Sequence, residues 1–419
     1  MFKIYLKRLF QKIKNIFWHY PKSLYYNFHF GYPAKKLILI GVTGTDGKTT
    51  TATLIHQCLI NAGIKTGLIT TLGAKIGTQE SAIGLHTTSP DSSKVQQLLS
   101  QMVKQGITHA VIEVTAHALD QYRYYGCHFQ TAVITNLSHE HLDDFINLTD
   151  YLRAKSKLFI NCNFAVLNKD DQSYEYLKKH IPIPITTYSI NQPSDLQAKN
   201  ITQNHKLLSF NVDKYLLKTN STYYYQSYNI LACFGVLITL KIDPKILINT
   251  IIQFPEIKGR REEINNKHHF RTIIDFAHTP NALKNTLSAL RSITTGKLIV
   301  IFGATGGRDQ SKRPLMGYEV SQIADIAIIT ADDTRNENVS NINQQIISGI
   351  DSKRLADKSF VYYDIPNRQD AFNLAVKLAS SGDTIIACGK GHETTILHGK
   401  TEYPWSESDA FRSALRLKK

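Results

Sequence analysis

The first residues with chemical promise are Gly41-Val-Thr-Gly44-Thr45-Asp46-Gly47-Lys48-Thr49-Thr50, preceded by the apolar run Leu37-Ile38-Leu39-Ile40 and followed by a helical stretch to Ala62. Glycines at such close intervals let backbone N–H groups wrap a phosphate at a helix N-terminus. In such a loop Lys48 reaches the β- and γ-phosphates of a nucleotide, and Thr49 offers its hydroxyl to Mg²⁺. Val42 stands where the generic phosphate-loop pattern has glycine, a departure of one residue. An ordinary glycine turn would not explain why a strand, Gly-Lys-Thr and a helix follow in that order.

Two further strings lie where strand-like runs give way to polar residues: Glu113-Val-Thr115-Ala-His117-Ala-Leu-Asp-Gln121-Tyr-Arg123 and Asn136-Leu-Ser-His-Glu-His141-Leu-Asp143. A lone Glu or His in such a place is ordinarily a solvated or capping residue. After a phosphate loop they acquire another use, because Mg²⁺ takes oxygen ligands and at most a little nitrogen, and Glu113 and His141 suit it. A basic helix face, Tyr151-Leu-Arg-Ala-Lys155-Ser-Lys-Leu-Phe159, places its lysine 14 residues after His141. The second half holds Ile274-Asp275-Phe-Ala-His278-Thr-Pro280, the stretch Gly303 to Met316 with Arg308-Asp309 and Lys312-Arg313-Pro314, Asp332-Asp333-Thr334-Arg335, and Gly389-Lys-Gly-His392-Glu393.

In this order the strings resemble the Mur ligase family from about residue 37 to about residue 400, most of all the branch that adds the third amino acid to the peptidoglycan stem peptide. The resemblance implies ATP-dependent amide-bond formation through an acyl phosphate, with ATP and two Mg²⁺ ions. It assigns Gly44, Thr45, Asp46 (where the family usually has Asn), Gly47, Lys48, Thr49 and Thr50 to the nucleotide, together with Asp275, His278 and Lys312. It assigns Thr49, Glu113, His141 and Lys155 to metal, and Lys48, His141 and Lys155 to catalysis. Lys155 matches the lysine that the family carbamylates; a carbamate is an oxygen anion that can hold Mg²⁺, as an ammonium cannot. Thr87 and Thr88 in His86-Thr-Thr-Ser-Pro90, with Thr115 (where Ser is usual), Gln121 and Arg123, match the positions that hold a muramoyl-peptide acceptor. Arg308, Asp332, Asp333, Thr334, Arg335, Gly389 and Glu393 match those that hold the free amino acid. An arginine pair suits the carboxylates of a diamino diacid, and Glu393 its distant ammonium. Asp-Asp-Thr-Arg replaces the family's Asp-Asn-Pro-Arg, and Arg335 favours meso-diaminopimelate over L-lysine. Two alternatives are a glutamate ligase of the folylpolyglutamate synthetase kind and a noncatalytic nucleotide-binding partner at a membrane. The strings at 86–90 and 389–393 weigh against the first, and the set Lys48, Glu113, His141 and Lys155 against the second.

Such residues need an α/β frame: a phosphate-loop central domain with a parallel sheet, residues 37–259, and a smaller Rossmann-like C-terminal domain, residues 260–419. Strand-like runs Thr272–Asp275, Leu298–Phe302, Ile326–Thr330 and Thr384–Ala387 alternate with helical segments in the second. The polar stretch at about 180–225 is expected to carry irregular β-structure, followed by a helix near Tyr228–Leu240.

The formal charge is +15, from 49 Lys and Arg against 34 Asp and Glu, and residues 1–36 hold eight of the cations and no acid. Basic balance alone fits nucleic acid, anionic lipid or phosphorylated substrates; with these strings no nucleic-acid partner is expected. Five cysteines with no C-x-x-C pair argue against a zinc knuckle or disulfide framework and for reduced thiols in a cytoplasmic protein. The longest apolar run, Ile230–Leu240, is about half the ~20 residues of a membrane span. No secretory signal is read, Met1 is expected to begin the mature chain, and a monomer is expected. The family carries a UDP-binding domain before the phosphate loop, where this sequence has about forty residues. Residues 1–36 form a basic amphipathic segment, with Phe2, Leu6, Leu9, Phe10, Ile13, Ile16 and Phe17 opposite Lys3, Lys7, Arg8, Lys12 and Lys14. It either packs on the central domain with solvated lysines or lies on an anionic membrane at the inner face.

Overall fold

The computed structural model describes residues 2–84, 89–138, 145–204, 207–220 and 223–418, with side chains from residue 6 onward. His86, Thr87, Thr88, His141 and Asp143 lie outside the described residues. The chain forms two compact units, Met1–Phe254 and Pro255–Lys419.

In the first unit, the strands are β1 (Ile38–Thr43), β2 (Thr66–Thr70), β3 (Gly73–Ile76), β4 (Gln79–Ser81), β5 (His109–Glu113), β6 (Phe129–Ile134), β7 (Cys162–Asn168), β8 (Ile185–Ser189) and β9 (Leu196–Gln197). Among the described residues they make one sheet in the order β4-β3-β2-β5-β1-β6-β7-β8-β9. From β2 to β9 the pairing is parallel, and β3 and β4 add an antiparallel edge. β1 lies centrally because it is apolar on both sides. Leu39 enters one core, with the helices Ser92–Lys104 and Leu148–Ile160; Ile40 and Val42 enter the other, with Lys48–Asn61 and Gln226–Thr239. A strand covered on both faces reads as an unbroken apolar run rather than an alternation. The polar stretch resolves into an antiparallel sheet of β10 (Lys199–Gln203), β11 (Leu208–Val212) and β12 (Tyr215–Thr219), which sinks Leu208, Phe210 and Leu217 into the second core.

The second unit is a sheet in the order β13-β14-β18-β15-β16-β17, formed by β13 (Arg260–Glu263), β14 (Arg271–Asp275), β15 (Leu298–Phe302), β16 (Ile326–Ile329), β17 (Val361–Asp364) and β18 (Thr384–Cys388). It is parallel throughout except for the edge strand β13. Both units are α/β with parallel sheets, as the sequence pattern predicts.

The N-terminal segment packs on the first unit through its polar side, not its apolar one. Two helices, Phe2–Lys14 and Tyr20–His29, are joined by a π-helical turn, Asn15–His19. Arg8 is 5% exposed and donates to Asp120 at 2.5 Å and to Asp150 at 2.8 Å. Asn15 and Lys157 also donate to Asp120, at 2.9 and 2.8 Å. Burial alone would raise the Asp120 pKa, but Arg8 and Lys157 outweigh it and hold the carboxyl below its ordinary range. Removing one partner of such a buried network leaves a charge without compensation. Arg8→Ala should therefore lower stability by about 3 kcal/mol, whereas Phe10→Ala, at a site 63% exposed, should stay within about 0.5 kcal/mol; chemical denaturation of the two variants checks this inversion.

Candidate active site

The parallel order β5-β1-β6 sends three loops out side by side at the carboxyl ends of neighbouring strands. The loop after β1 is the glycine-rich one, and it enters the helix Lys48–Asn61 with Gly47 as N-cap at φ 79°. Gly44 adopts φ 145°, and a Cβ there would meet Thr135 Oγ1 at 1.9 Å. No other residue fits, for steric as well as conformational reasons. From the next strand's end, Thr135 Oγ1 and Asn136 Nδ2 donate to the Asp46 carbonyl at 2.6 and 3.1 Å, and Asp46 N–H donates to Asn136 Oδ1 at 2.9 Å. The loop is thus clamped from β6 before any ligand arrives. Lys48 Nζ donates to Thr45 O at 2.7 Å, folded back over the loop.

Glu113, last residue of β5, is 1% exposed, and its Oε2 accepts from Thr49 Oγ1 at 2.9 Å and from Thr71 N–H at 3.2 Å. Lys155 is also 1% exposed; its Nζ donates to Gly44 O at 2.6 Å and lies 4.6 Å from the centre of the Tyr151 ring. So the structure brings Gly44, Lys48, Thr49, Glu113 and Lys155 to one loop. Thr45 and Thr50 are buried in the same turn.

Beyond β5, Thr115 caps the helix Ala116–Asp120, accepting from Ala118 N–H at 3.3 Å. Its Oγ1 donates to Ser89 Oγ at 3.2 Å. Arg123 reaches the Ser89 carbonyl and forks onto Gln121 Oε1 at 3.0 and 2.7 Å. Thr115, Gln121 and Arg123 therefore form one cluster about Ser89, which the sequence reading quoted without singling out. Asn136 and Asn229, not among the candidate site residues, also hold the loop; the Oδ1 of Asn229 accepts from Thr51 Oγ1 at 3.2 Å and lies 2.4 Å from a Cβ placed on Gly47. Asn136 had a signal, as the first polar residue after a buried strand. Asn229 had none, lying within a strongly apolar helix.

In the second unit the loops after β14, β18, β15 and β16 leave the same sheet edge. Asp275 Oδ1 accepts from Ala277 N–H at 2.8 Å, and Lys312 Nζ donates to His278 O at 2.9 Å. Burial raises the Asp275 pKa, which Arg260 and Arg261 only partly offset. Asp332, Asp333 and Thr334 are buried, Arg335 is half-buried at φ 50°, and Arg308 is exposed. A Cβ on Gly389 would meet Asp332 Oδ2 at 2.7 Å, which joins two of the predicted strings. Asp333 accepts from Lys390 Nζ at 2.7 Å and from Leu397 N–H at 3.0 Å, and Lys390 also pairs with Glu393. Burial would lower the Lys390 pKa; Asp332, Glu393 and Asp333 outweigh it and keep the ammonium charged. The extra carboxylate of Asp-Asp-Thr-Arg is therefore neutralised inside the protein, while Thr334 Oγ1 contacts His398 Nδ1 at 2.9 Å.

Residues 42–237 match the description Mur ligase middle domain, and residues 259–391 match Mur ligase, glutamate ligase domain. The UDP-N-acetylmuramoyl-L-alanyl-D-glutamate–2,6-diaminopimelate ligase of Aquifex aeolicus is 36% identical over 392 residues, which cover 92% of this chain and 79% of that one. The chain belongs to the Mur ligase family. The enzyme of the same name from Listeria monocytogenes is 36% identical over 94% of this chain and 81% of its own. A solved structure of a ligase with that name superposes with a TM-score of 0.62 at 28% identity, over 91% of this chain and 78% of the other.

This Mur ligase is thus an ATP-dependent ligase. ATP and magnesium go with the family, and the residues present fit them: Thr49 Oγ1 and Glu113 Oε2 are hard oxygen donors 2.9 Å apart, beside a loop that turns backbone toward a phosphate. Among the described residues no group of three His, Cys, Asp or Glu side chains could hold a metal ion.

His392 provides a pH signature. Burial first, then the charge of Arg260, push its imidazole down to about 3. The folded state keeps it neutral, while the unfolded chain takes up a proton near 6.5. Stability is therefore unaffected above that value and falls as pH drops through it. Calorimetry should show a loss of about 2 kcal/mol between pH 7 and 5 that His392→Asn removes.

Proposed function

We propose that this Mur ligase joins meso-diaminopimelate, or another diamino acid, to the carboxylate of a muramoyl dipeptide acceptor. ATP transfers its γ-phosphoryl group to the acceptor carboxylate, and the amine displaces phosphate from the acyl phosphate so formed. The observation that carries the reading is Glu113 drawn out of water onto Thr49 at the phosphate loop. A buried carboxylate there is costly unless a cation joins it. Thr49 and Glu113, with His141 and a carbamylated Lys155, would hold two Mg²⁺ ions, which supply positive charge to the phosphoryl oxygens. Lys48 leaves Thr45 O to add its own charge. Gly44 to Thr50, with Asp275, His278 and Lys312, bind the nucleotide. Thr87, Thr88, Thr115, Gln121 and Arg123 read the acceptor. Arg308, Asp332 to Arg335, Gly389 and Glu393 orient the amino acid, with Arg335 on a carboxylate. Positioning and charge suffice for such a transfer; no protein nucleophile is required.

Phosphate release from ATP, measured against a panel of amino acids with muramoyl dipeptide, tests this. Release should depend on both partners and be greatest with diaminopimelate; release independent of the amino acid would overturn the ligase reading, and preference for L-lysine only the specificity. Lys48→Ala should lower turnover at least a hundredfold with thermal stability unchanged. Lys155→Ala should be inactive and partly restored by short carboxylic acids, which can replace a carbamate but not an ammonium. Arg335→Ala should raise KM for diaminopimelate at least tenfold more than KM for ATP.

A further inference from the structure

We infer that the outward face of residues 6–30 is a docking surface for an anionic lipid bilayer. Surface helices ordinarily turn apolar side chains inward. This one is reversed. Arg8, Asn15, Ser23 and Asn27 are its buried positions, with 5% exposure or less. Their spacing of seven, eight and four residues would not stay on one stripe of an uninterrupted α-helix, where a step of eight rotates the face by about 80°. The π-helical turn Asn15–His19 absorbs the additional residue and keeps the stripe on the protein. Partners fix it there: Arg8 on Asp120 and Asp150, Asn15 on Asp120, and Asn27 on the Tyr125 carbonyl. The helix cannot roll to bury its apolar side without taking the guanidinium from Asp150 and leaving Asp120 with Lys157 as its cation.

Leu9, Phe10, Ile16, Phe17, Trp18 and Phe28 consequently face outward, each more than half exposed. What accompanies them identifies the occupant. Lys12 and Lys14 are exposed on the same helices, and residues 1–36 contain no Asp or Glu. Lys22 is paired with Asp91 at 3.0 Å; the exposed positive charge of Lys12 and Lys14 opposes a second copy of the same face and favours an anionic surface. Tryptophan and other aromatics belong at headgroup level, and a helix in the interface plane sinks its apolar side chains about 5–10 Å into that boundary. No helix of the described residues is long and apolar enough to cross a membrane, so the contact is peripheral.

The surface connects to the acceptor cluster. Asp120, anchored by Arg8, ends the helix that Thr115 caps, and Tyr20 packs on Tyr122 and Tyr125 with ring centres 5.3 and 4.8 Å apart. Docking therefore sets Gln121 and Arg123 roughly one helix diameter, about 10 Å, from the headgroups. The docking itself does not depend on the ligase reading.

Vesicle flotation of the full chain tests it. Deleting the segment would strip Arg8 from Asp120, so the variants are substitutions on the exposed face. The protein should float with phosphatidylglycerol vesicles at low salt, progressively less as salt rises, and poorly with phosphatidylcholine alone. Phe10→Glu/Phe17→Glu/Trp18→Glu should reduce partitioning at least tenfold with thermal stability and vesicle-free phosphate release unchanged, and Lys12→Glu/Lys14→Glu should do so by a comparable factor. Recovery of the full chain only in the soluble fraction at low salt would overturn the proposal. So would equal flotation of the triple variant, or light scattering that shows a dimer which the triple variant abolishes.

Discussion

Glu113 is the constraint around which the first unit's site is arranged. A carboxylate taken out of water costs several kcal/mol unless hydrogen bonds and positive charge replace its hydration. Thr49, in the helix after β1, supplies a hydroxyl and Thr71, just past β2, an amide; β5 reaches both because it lies between β1 and β2. That adjacency comes from two apolar faces on β1, each sealed by its own helices. The other neighbour, β6, holds the loop from the opposite side through Thr135 and Asn136. Lys155 reaches in from the helix after β6 to the carbonyl of Gly44. The loop is thus held from both neighbouring strands, and the Lys48 side chain folds back on Thr45 O.

The second unit handles charge by the same rule. Lys390 is wholly buried, and Asp333 and Glu393 surround its ammonium. Within the string Asp332-Asp333-Thr334-Arg335 the two middle residues have partners in the unit, Lys390 for Asp333 and His398 for Thr334. The negative charge of Asp333 therefore shapes the loop, and Arg335 follows at its end in a left-handed backbone conformation. Arg335 N–H donates to Leu397 O at 3.2 Å and its carbonyl accepts from Gly399 N–H at 2.7 Å, which fixes that conformation from the hairpin of Thr395–His398 and Thr401–Pro404.

At the N-terminus burial of charge decides orientation against hydrophobicity. Asp120 and Asp150 are committed to the interior by the helices that carry them, and they need hydrogen bonds and a compensating charge there. Arg8 meets that need, and the apolar side chains on the opposite side of its helix are turned outward as a consequence. Sequence periodicity gives an amphipathic helix in either case; it does not say which side faces in.

By itself the sequence determined the α/β class, the phosphate loop, and the strand ends that carry Glu113, Asp275 and the string 332–335, because apolar strands and glycine turns are local signals. It also determined which strings belong together, through their order along the chain. Tertiary structure alone decided that Ser89 gathers Thr115 and Arg123, that Asn229 backs Gly47, that Asp333 is neutralised by Lys390, and that Arg8 points inward. Each of these pairs residues at least 26 positions apart. Helical or strand periodicity reports only on neighbours along the chain, whereas the cost of an unpaired buried charge is settled by whichever residue the fold brings beside it.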